Sequence, residues 1–417
     1  MPLCAGVLVL LVSERPRIGR GPGALLDWAL LACLAVVAAQ LIPLPAWLWA
    51  RLSPHAMDVE SAVRLATVSP ASHRLSLDPK ATAWALALGA AYIGLFWCAR
   101  AIFAGGGVRL TTRGISWLGL GLTVLVAIQR ATAPKLLFWT WRPLDAGASP
   151  YGPFVNRNSL VCWLAMAVPL VIGYAVARHE SRPPGVAPTA GIDSTQLWLG
   201  GAAVLMTGGL IGSLSRGGIF GGAIGLLVFV LLARTRVSRT RGLAWMVAGL
   251  IAIAAFGTRY ANLGALALRM QETTEFGEWG RRVIWRDTWA MATDFRLTGV
   301  GTGAFQQGML VYQQAPRQFF FNHAHDEYLQ LLAEGGILVA VPAALALAAA
   351  TAMLARQLRT DRSVIFWVRA GAIAGIAAAA VQSVWDTTLR TPANGVLFAV
   401  VAAIAVHDPR KGRQTPD

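Results

Sequence analysis

An all-α, polytopic integral membrane protein is the fold this sequence predicts, and three observations predict it. The 417 residues are 56% hydrophobic and only 13% charged, against about 25% charged in a soluble domain. Mean hydropathy is +0.55. Apolar runs recur along the whole chain between short polar stretches, and about 20 apolar residues cross a bilayer as a helix. The runs are continuous and not alternating, which is the pattern of spanning helices and not of a barrel.

Membrane segments are expected near residues 1–12, 24–42, 81–104, 115–128, 159–177, 196–214, 217–233, 243–256, 335–355, 364–384 and 392–406. The expected architecture has about 11–12 transmembrane helices. Segment 1–12 is short and lacks a basic start, so it reads as the remnant of a longer helix in preference to a signal sequence. No soluble module, heptad or repeat interrupts the pattern, so residues 1–417 are expected to form one membrane domain.

Orientation follows from the basic loops. Arg15, Arg17 and Arg20 share one. Arg100, Arg109 and Arg113 flank another, and Arg234, Arg236, Arg239 and Arg241 make RTRVSRTR. Arg356, Arg359 and Arg362 follow, and Arg410, Lys411 and Arg413 lie in the tail. All alternate correctly if cytoplasmic, as the positive-inside rule requires. Loops 43–80, 129–158, a tight turn near 215, the large loop 257–334 and loop 385–391 then face the other side. In a bacterial inner membrane that side is the periplasm. The large loop is expected to carry amphipathic helices.

The net charge of +16 does not imply nucleic acid, because the arginines are spread over many loops and form no basic module. It points to orientation, and to anionic membrane lipids or anionic lipid-linked substrates. Cys4, Cys33, Cys98 and Cys162 all fall in apolar segments, with neither disulfide nor metal spacing.

Three arginine clusters stand out. In GGLIGSLSRGGIFGGAIG, residues 208–225, Arg216 interrupts an apolar stretch where two helices must meet. A guanidinium beside hydrocarbon costs several kcal/mol unless paired or hydrated, so it is a candidate site. Ser213 and Ser215 add hydroxyls, and the flanking glycines are expected to permit the turn. The competing reading is a snorkelling loop arginine. In EWGRRVIWRDTW, residues 278–289, Arg282 and Arg286 share one helical face, and Trp285 and Trp289 form a second i, i+4 pair suited to a membrane interface. Headgroup anchoring and a phosphate clamp both fit, and the arginine fork suits phosphate oxygens. In YGPFVNRNSL, residues 151–160, Asn156, Arg157 and Asn158 stand where a loop meets a helix. Capping and sugar or phosphate binding are both open there.

The fourth cluster is FNHAHDEYLQLLAEGG, residues 321–336. An imidazole with a pKa of about 6.5 exchanges protons at neutral pH, so His323 and His325 are candidates for general-base chemistry. Asp326 and Glu327 lie close enough to orient or raise one ring. Tyr328, Leu331 and Leu332 predict a helix running to Glu334 and Gly335–Gly336, with the histidines at its N-terminal mouth. A metal site on His323, His325, Asp326 and Glu334 is disfavoured, since HxH places two ligands better on a strand than on a helix. A lipid-tailed, phosphate-bearing donor and an acceptor hydroxyl match arginines plus one histidine, with no metal or other cofactor.

These motifs, in this order, resemble the O-antigen ligase family, which includes O-antigen polymerases and protein O-oligosaccharyltransferases. SLSRGG at 213–218 is similar to its serine–arginine–glycine turn. GRRVIWRDTW followed by LTGVGTGAF (297–305) is similar to its R-x-x-W helix and glycine-rich stretch. NHAHDEYLQLLAEGG is similar to its H-N-x-x-L…E-x-G signature, and LSPHA (52–56), LSLDP (75–79) and FVNRN (154–158) resemble looser early motifs. The resemblance implies about twelve helices and an undecaprenyl-diphosphate-linked saccharide donor. It also implies an inverting, metal-independent transfer to a glycan, lipid or protein hydroxyl in the periplasm. By motif, His325 is the catalytic histidine, Arg216 and Arg282 the substrate-binding arginines, and Glu334 a supporting residue. Arg286 and Arg157 join the diphosphate set, and His323, Asp326, Asn156, Asn158 and Ser215 support it. Asp326 departs from the family's usual asparagine. A transporter of a small anion such as bicarbonate is the alternative, but the charged residues cluster on one side and not at mid-membrane. A non-catalytic component of a polysaccharide export complex is the other.

Overall fold

The computed structural model describes residues 2–63, 73–144, 150–181, 194–236, 277–314 and 321–407. Among them are fourteen α-helices and no β-strand. The helices are α1 (Pro2–Glu14), α2 (Ala24–Ala39), α3 (Ala46–Leu52), α4 (Ala56–Val63), α5 (Pro79–Ala104), α6 (Val108–Thr132) and α7 (Arg157–Glu180). They continue with α8 (Ser194–Gly212), α9 (Arg216–Ala233), α10 (Gly277–Asp294), α11 (Phe305–Tyr312), α12 (Glu327–Thr360), α13 (Ile365–Gln382) and α14 (Pro392–Val406). Eight, namely α2, α5–α9, α12 and α13, are long and apolar enough to cross a membrane, while α1 and α14 are shorter apolar helices. This is an all-α, multi-pass membrane protein. The expected segment 243–256, residues 257–276 of the large loop, Arg239, Arg241 and the basic tail lie outside the described residues.

Helix α6 runs well past its expected bounds of 115–128. The reason is local. Thr112, Ser116 and Thr123 each donate a hydroxyl to the carbonyl four residues back. Polar residues satisfied in this way do not end a helix.

The chain divides into two compact units. The first comprises residues 1–97, 271–355 and 383–387. Its polar end has a core of its own, in which Trp49 of α3, Met291 of α10, Phe295 just after it, and Phe305 and Met309 of α11 pack with Leu75 and Ala333. Loops 43–80 and 257–334, which the charge rule assigns to the same side, therefore share one hydrophobic cluster. Trp49 stacks on His73 at 4.2 Å between ring centroids, and its Nε1–H donates to the Arg74 carbonyl at 3.0 Å.

Within this unit the glycine-rich stretch after α10 lies backbone to backbone against α12. Val300 N–H donates to Ala333 O and Gly301 N–H to Glu334 O, both at 3.0 Å, and Ile337 N–H donates to Arg296 O at 2.9 Å. Helix α12 is broken at Gly336, whose φ of 59° and ψ of −165° are open to glycine alone. A Cβ on Gly299 would overlap the Glu334 carbonyl, and one on Gly336 would overlap that of Leu297. Gln40, buried just past α2, locks the same spot. Its Nε2 donates to Thr298 O (2.8 Å) and Glu334 O (3.0 Å), and its Oε1 accepts from Thr302 N–H at 3.0 Å.

The second unit comprises residues 98–270, 356–382 and 388–417. Helix α7 is its centre and is buried continuously from Ser159 to Tyr174. Glycines set the packing. A methyl at Gly173 of α7 would overlap the Trp367 carbonyl of α13, and methyls at Gly371 and Gly375 would overlap those of Pro169 and Met166. Gly221 and Gly225 of α9 meet the Ala378 and Ala374 carbonyls in the same way. This is small-residue packing of membrane helices, in which van der Waals contact replaces the hydrophobic effect.

Candidate active site

In the first unit, residues 321–326 form an extended approach to α12. Asp326 caps that helix. Its Oδ1 accepts from Tyr328 N–H at 2.9 Å and from Leu329 N–H at 3.0 Å. Glu327 N–H donates to Ser383 O at 2.9 Å. The histidines sit at the N-terminal mouth of the helix, as the spacing predicts.

His325 has φ +53°, a left-handed conformation that costs about 1–3 kcal/mol for a non-glycine residue and recurs at functional sites. Its side chain is 39% exposed, and its Nδ1 lies 3.5 Å from Oδ1 of Asp386, which is itself only 9% exposed. The Asp386 oxygen also accepts from Thr387 N–H at 2.8 Å. A carboxylate facing Nδ1 favours the proton on that nitrogen and leaves Nε2 with its lone pair outward. The distance exceeds a tight hydrogen bond, as is common before substrate arrives.

From the sequence, Asp326 and Glu327 are the carboxylates close enough to orient one histidine ring. The structure commits Asp326 to the helix cap instead and puts Asp386 beside the ring. One signal pointed to it: loop 385–391 was expected on the same side as loop 257–334, and Asp386 is its one carboxylate. Burial pushes the Asp326 carboxyl above its ordinary value, opposed by the Leu329 and Tyr328 N–H groups.

His323 belongs to a separate network. Its Nδ1 lies 3.3 Å from Gln330 Nε2, which also donates to Glu334 Oε1 at 3.0 Å. Gln330 Oε1 accepts from Ala324 N–H at 2.9 Å. Gln330 and Glu334 are each only 1% exposed.

Helix α10 carries Arg282 and Arg286 on one exposed face, as expected from their spacing. Arg286 is braced by Asp287, whose Oδ1 accepts from Nε at 3.2 Å and from a terminal nitrogen at 3.1 Å. The buried Asp287 also receives Gln314 N–H at 2.9 Å. Trp285 has a partner within the fold. Its Nε1–H donates to the Ala324 carbonyl, between the two histidines, at 3.1 Å. The R-x-x-W pattern thus couples an arginine face to the histidine loop. Trp289 is 58% exposed.

In the second unit, Asn156 caps α7 through its Oδ1, which accepts from Asn158 N–H at 2.9 Å. Ser215 Oγ–H donates to Asn158 Oδ1 at 2.8 Å, so the starts of α7 and α9 are tied together. Arg157 and Arg216 are the first residues of those helices. A helix N-terminus already carries about half a positive charge, so a cation there favours an arriving anion. No ion-pair partner for either arginine occurs among the described residues. The left-handed residue of the 213–215 turn is Leu214, φ +57°, not a glycine. The glycines bring α9 close to its neighbours: a methyl at Gly218 would overlap Val161.

Among the described residues no three His, Cys, Asp or Glu side chains gather as a metal site requires.

The fold defines a multi-pass helical membrane protein. Residues 201–344 match the family model of the O-antigen ligase, the family that the chain's motifs resemble. The matched stretch contains Ser215, Arg216, Arg282, Arg286, His323, His325, Asp326 and Glu334, and leaves out Asn156, Arg157, Asn158 and Asp386. No curated protein matches the chain.

Proposed function

We propose that the protein transfers a glycan from an undecaprenyl-diphosphate-linked saccharide to an acceptor hydroxyl, on the periplasmic side of the bacterial inner membrane. The observation that carries this reading is the His325–Asp386 pair, a half-exposed imidazole whose Nδ1 faces a carboxylate. His325 Nε2 takes the proton of the acceptor hydroxyl as its oxygen bonds to the anomeric carbon. The bond from that carbon to the diphosphate breaks, the electron pair leaves on the diphosphate, and the configuration inverts. Arg282 and Arg286 bind diphosphate on the α10 face. Arg216 and Arg157 are assigned to phosphate binding in the second unit, supported by their place at two helix N-termini. Positive groups stabilise the charge that develops on the leaving group. Asn156, Asn158 and Ser215 hold the arginine-bearing turns, and Asp326 and Glu334 hold the histidine-bearing one.

The test is deletion of the protein in its host and complementation with wild type, His325→Ala or Arg216→Ala. Surface and lipid-linked glycans are then separated on a gel. Both variants should reach the membrane, lose mature polymer and accumulate lipid-linked precursor. Short precursors would indicate polymerisation, long unattached chains ligation. A normal glycan profile from His325→Ala would end the proposal and leave transport or scaffolding as the account.

A further inference from the structure

In the second unit the start of α6, the end of α7 and the start of α13 enclose a recess of about 270 Å³, counting its open mouth. Its walls are apolar, made by Val108, Ala177, Ile365 and Val368, and Arg109, Arg178 and Ser181 also line it. Each of the three helix ends carries an exposed arginine: Arg109, Arg178 and, two residues before the lining Val364, Arg362. The charge rule places these ends on the cytoplasmic side. Acidic groups do not cancel the charge. Asp361 is paired with Arg369 and its side chain is 1% exposed. Glu180, exposed at the last residue of α7, is not among the residues that line the recess. No ion pair of Arg109 occurs among the described residues.

Two further features favour an anion. Helix α6 begins here, and its N-cap is Gly107, φ 79°, which has no side chain to cap the N–H groups of the first turn. That end of a helix is its positive end. Tyr174, 4% exposed, also lines the recess, and its hydroxyl makes no hydrogen bond among the described residues. A buried hydroxyl ordinarily has a partner, so Tyr174 has a donor to offer whatever enters. Ser181, by contrast, spends its proton on the Ala177 carbonyl at 2.7 Å.

We propose that the recess binds the phosphate-bearing headgroup of an anionic membrane lipid, with Arg109, Arg178 and the Tyr174 hydroxyl serving the phosphate oxygens and an acyl chain against the apolar wall. Basic pockets between membrane helices on the cytoplasmic side retain such headgroups. Free phosphate would satisfy the guanidinium groups but leave the apolar wall against water, so a lipid is the better occupant. The site is independent of the glycan transfer proposed above.

The test uses the full chain in detergent, titrated with phosphatidylglycerol or with phosphatidylcholine of the same acyl chains, and reads bound lipid by native mass spectrometry. Phosphatidylglycerol should bind about tenfold more tightly. Arg109→Gln and Arg178→Gln should each weaken it about fivefold. Val364→Trp, which fills the recess without altering a charge, should weaken it as well. Arg234→Gln removes an equal charge from another exposed position on the same side and should leave binding within about twofold. Equal binding of the two lipids, or a loss in Arg234→Gln as large as in Arg109→Gln, would overturn the site and leave the arginines as orientation signals. Displacement of the lipid by excess inorganic phosphate would overturn the lipid as its occupant. Melting temperatures taken without added lipid identify any misfolded variant, and the comparison of the two lipids on the wild type decides regardless.

Discussion

The molecule contains two pairs of a basic side chain with a carboxylate that contrast in burial and in hydrogen bonding. Arg369 and Asp361, in the second unit, have side chains 0% and 1% exposed, and His325 and Asp386, in the first, 39% and 9%. The guanidinium of Arg369 is also spent on the Ala405 and His407 carbonyls. Asp361 accepts from Ser363 N–H at 2.8 Å and from Ser363 Oγ–H at 2.7 Å. Arg236 donates to the Asp361 backbone carbonyl and lies over the Phe366 ring, 4.3 Å from its centroid. Every charge in that cluster is answered from within. The histidine pair instead leaves one member half in solvent and in a strained backbone conformation. A sealed pair fixes helix ends, whereas an open one has a nitrogen to offer a substrate. Burial and hydrogen-bond satisfaction, not the presence of charge, separate the two roles.

The largest effect expected from breaking this contrast lies in the sealed pair. Arg369→Ala leaves the Asp361 carboxylate buried without its counter-charge, which costs about 3–5 kcal/mol. The purified protein should lose thermal stability, and its amount in the membrane should fall. Replacing both partners, Arg369→Met with Asp361→Leu, should recover most of the loss, because an apolar pair removes the desolvation cost along with the charge. A double variant as unstable as Arg369→Ala would show that the carbonyl contacts to Ala405 and His407 matter more than the charge.

Asp386→Asn should do the opposite. Its partner is half-exposed, so folding should change little. Glycan transfer should fall by about 10²-fold in kcat, within the range general-base catalysis contributes, with KM for the lipid-linked donor nearly unchanged. A loss of stability with kcat intact would place this pair in the same class as Arg369–Asp361.

The sequence made the helices legible and the contacts between them only partly so. Ten of the eleven expected segments coincide with helices, because a continuous apolar run has one stable solution in lipid. The arginine and histidine motifs were legible because charge is rare in such a chain. The early start of α12 was half legible: Tyr328, Leu331 and Leu332 announce the helix, but only the backbone shows it breaking at Gly336 and continuing into the membrane. Asp386 was legible only by the side its loop faces, and the bracing role of Gln40 was not legible. Each acts across long sequence separations, from a loop or helix end with no motif around it. The contacts of Trp285 and Asp326 were not legible for a related reason. An amphipathic tryptophan fits a membrane surface and a loop contact equally well, and an adjacent carboxylate fits a histidine and a helix cap equally well. Only the positions of Ala324 O and Asp386 decide.

The smallest expected effect concerns Asp326, where the chain has a carboxylate and the resembling signature an asparagine. Burial raises the Asp326 carboxyl above its ordinary value of 3.8 despite its two N–H donors. The native state therefore holds that proton to a higher pH than the unfolded chain does. Its contribution to stability falls as pH rises through the interval between the two values, and at neutral pH the ionised form is a net cost to the fold. The helix-end charge favours a carboxylate here, but the direction of the shift says that desolvation is the larger effect. Asparagine caps a helix about as well as aspartate. Asp326→Asn should therefore raise the melting temperature slightly at neutral pH, and the gain should vanish as pH falls below the ordinary carboxylate value. Because the His325 contact is made by Asp386, glycan transfer should stay within about twofold of wild type, since a surface-proximal change of this kind alters little else. A large drop in transfer would mean that the Asp326 charge acts on His325 after all, and that the imidazole answers to two carboxylates and not one.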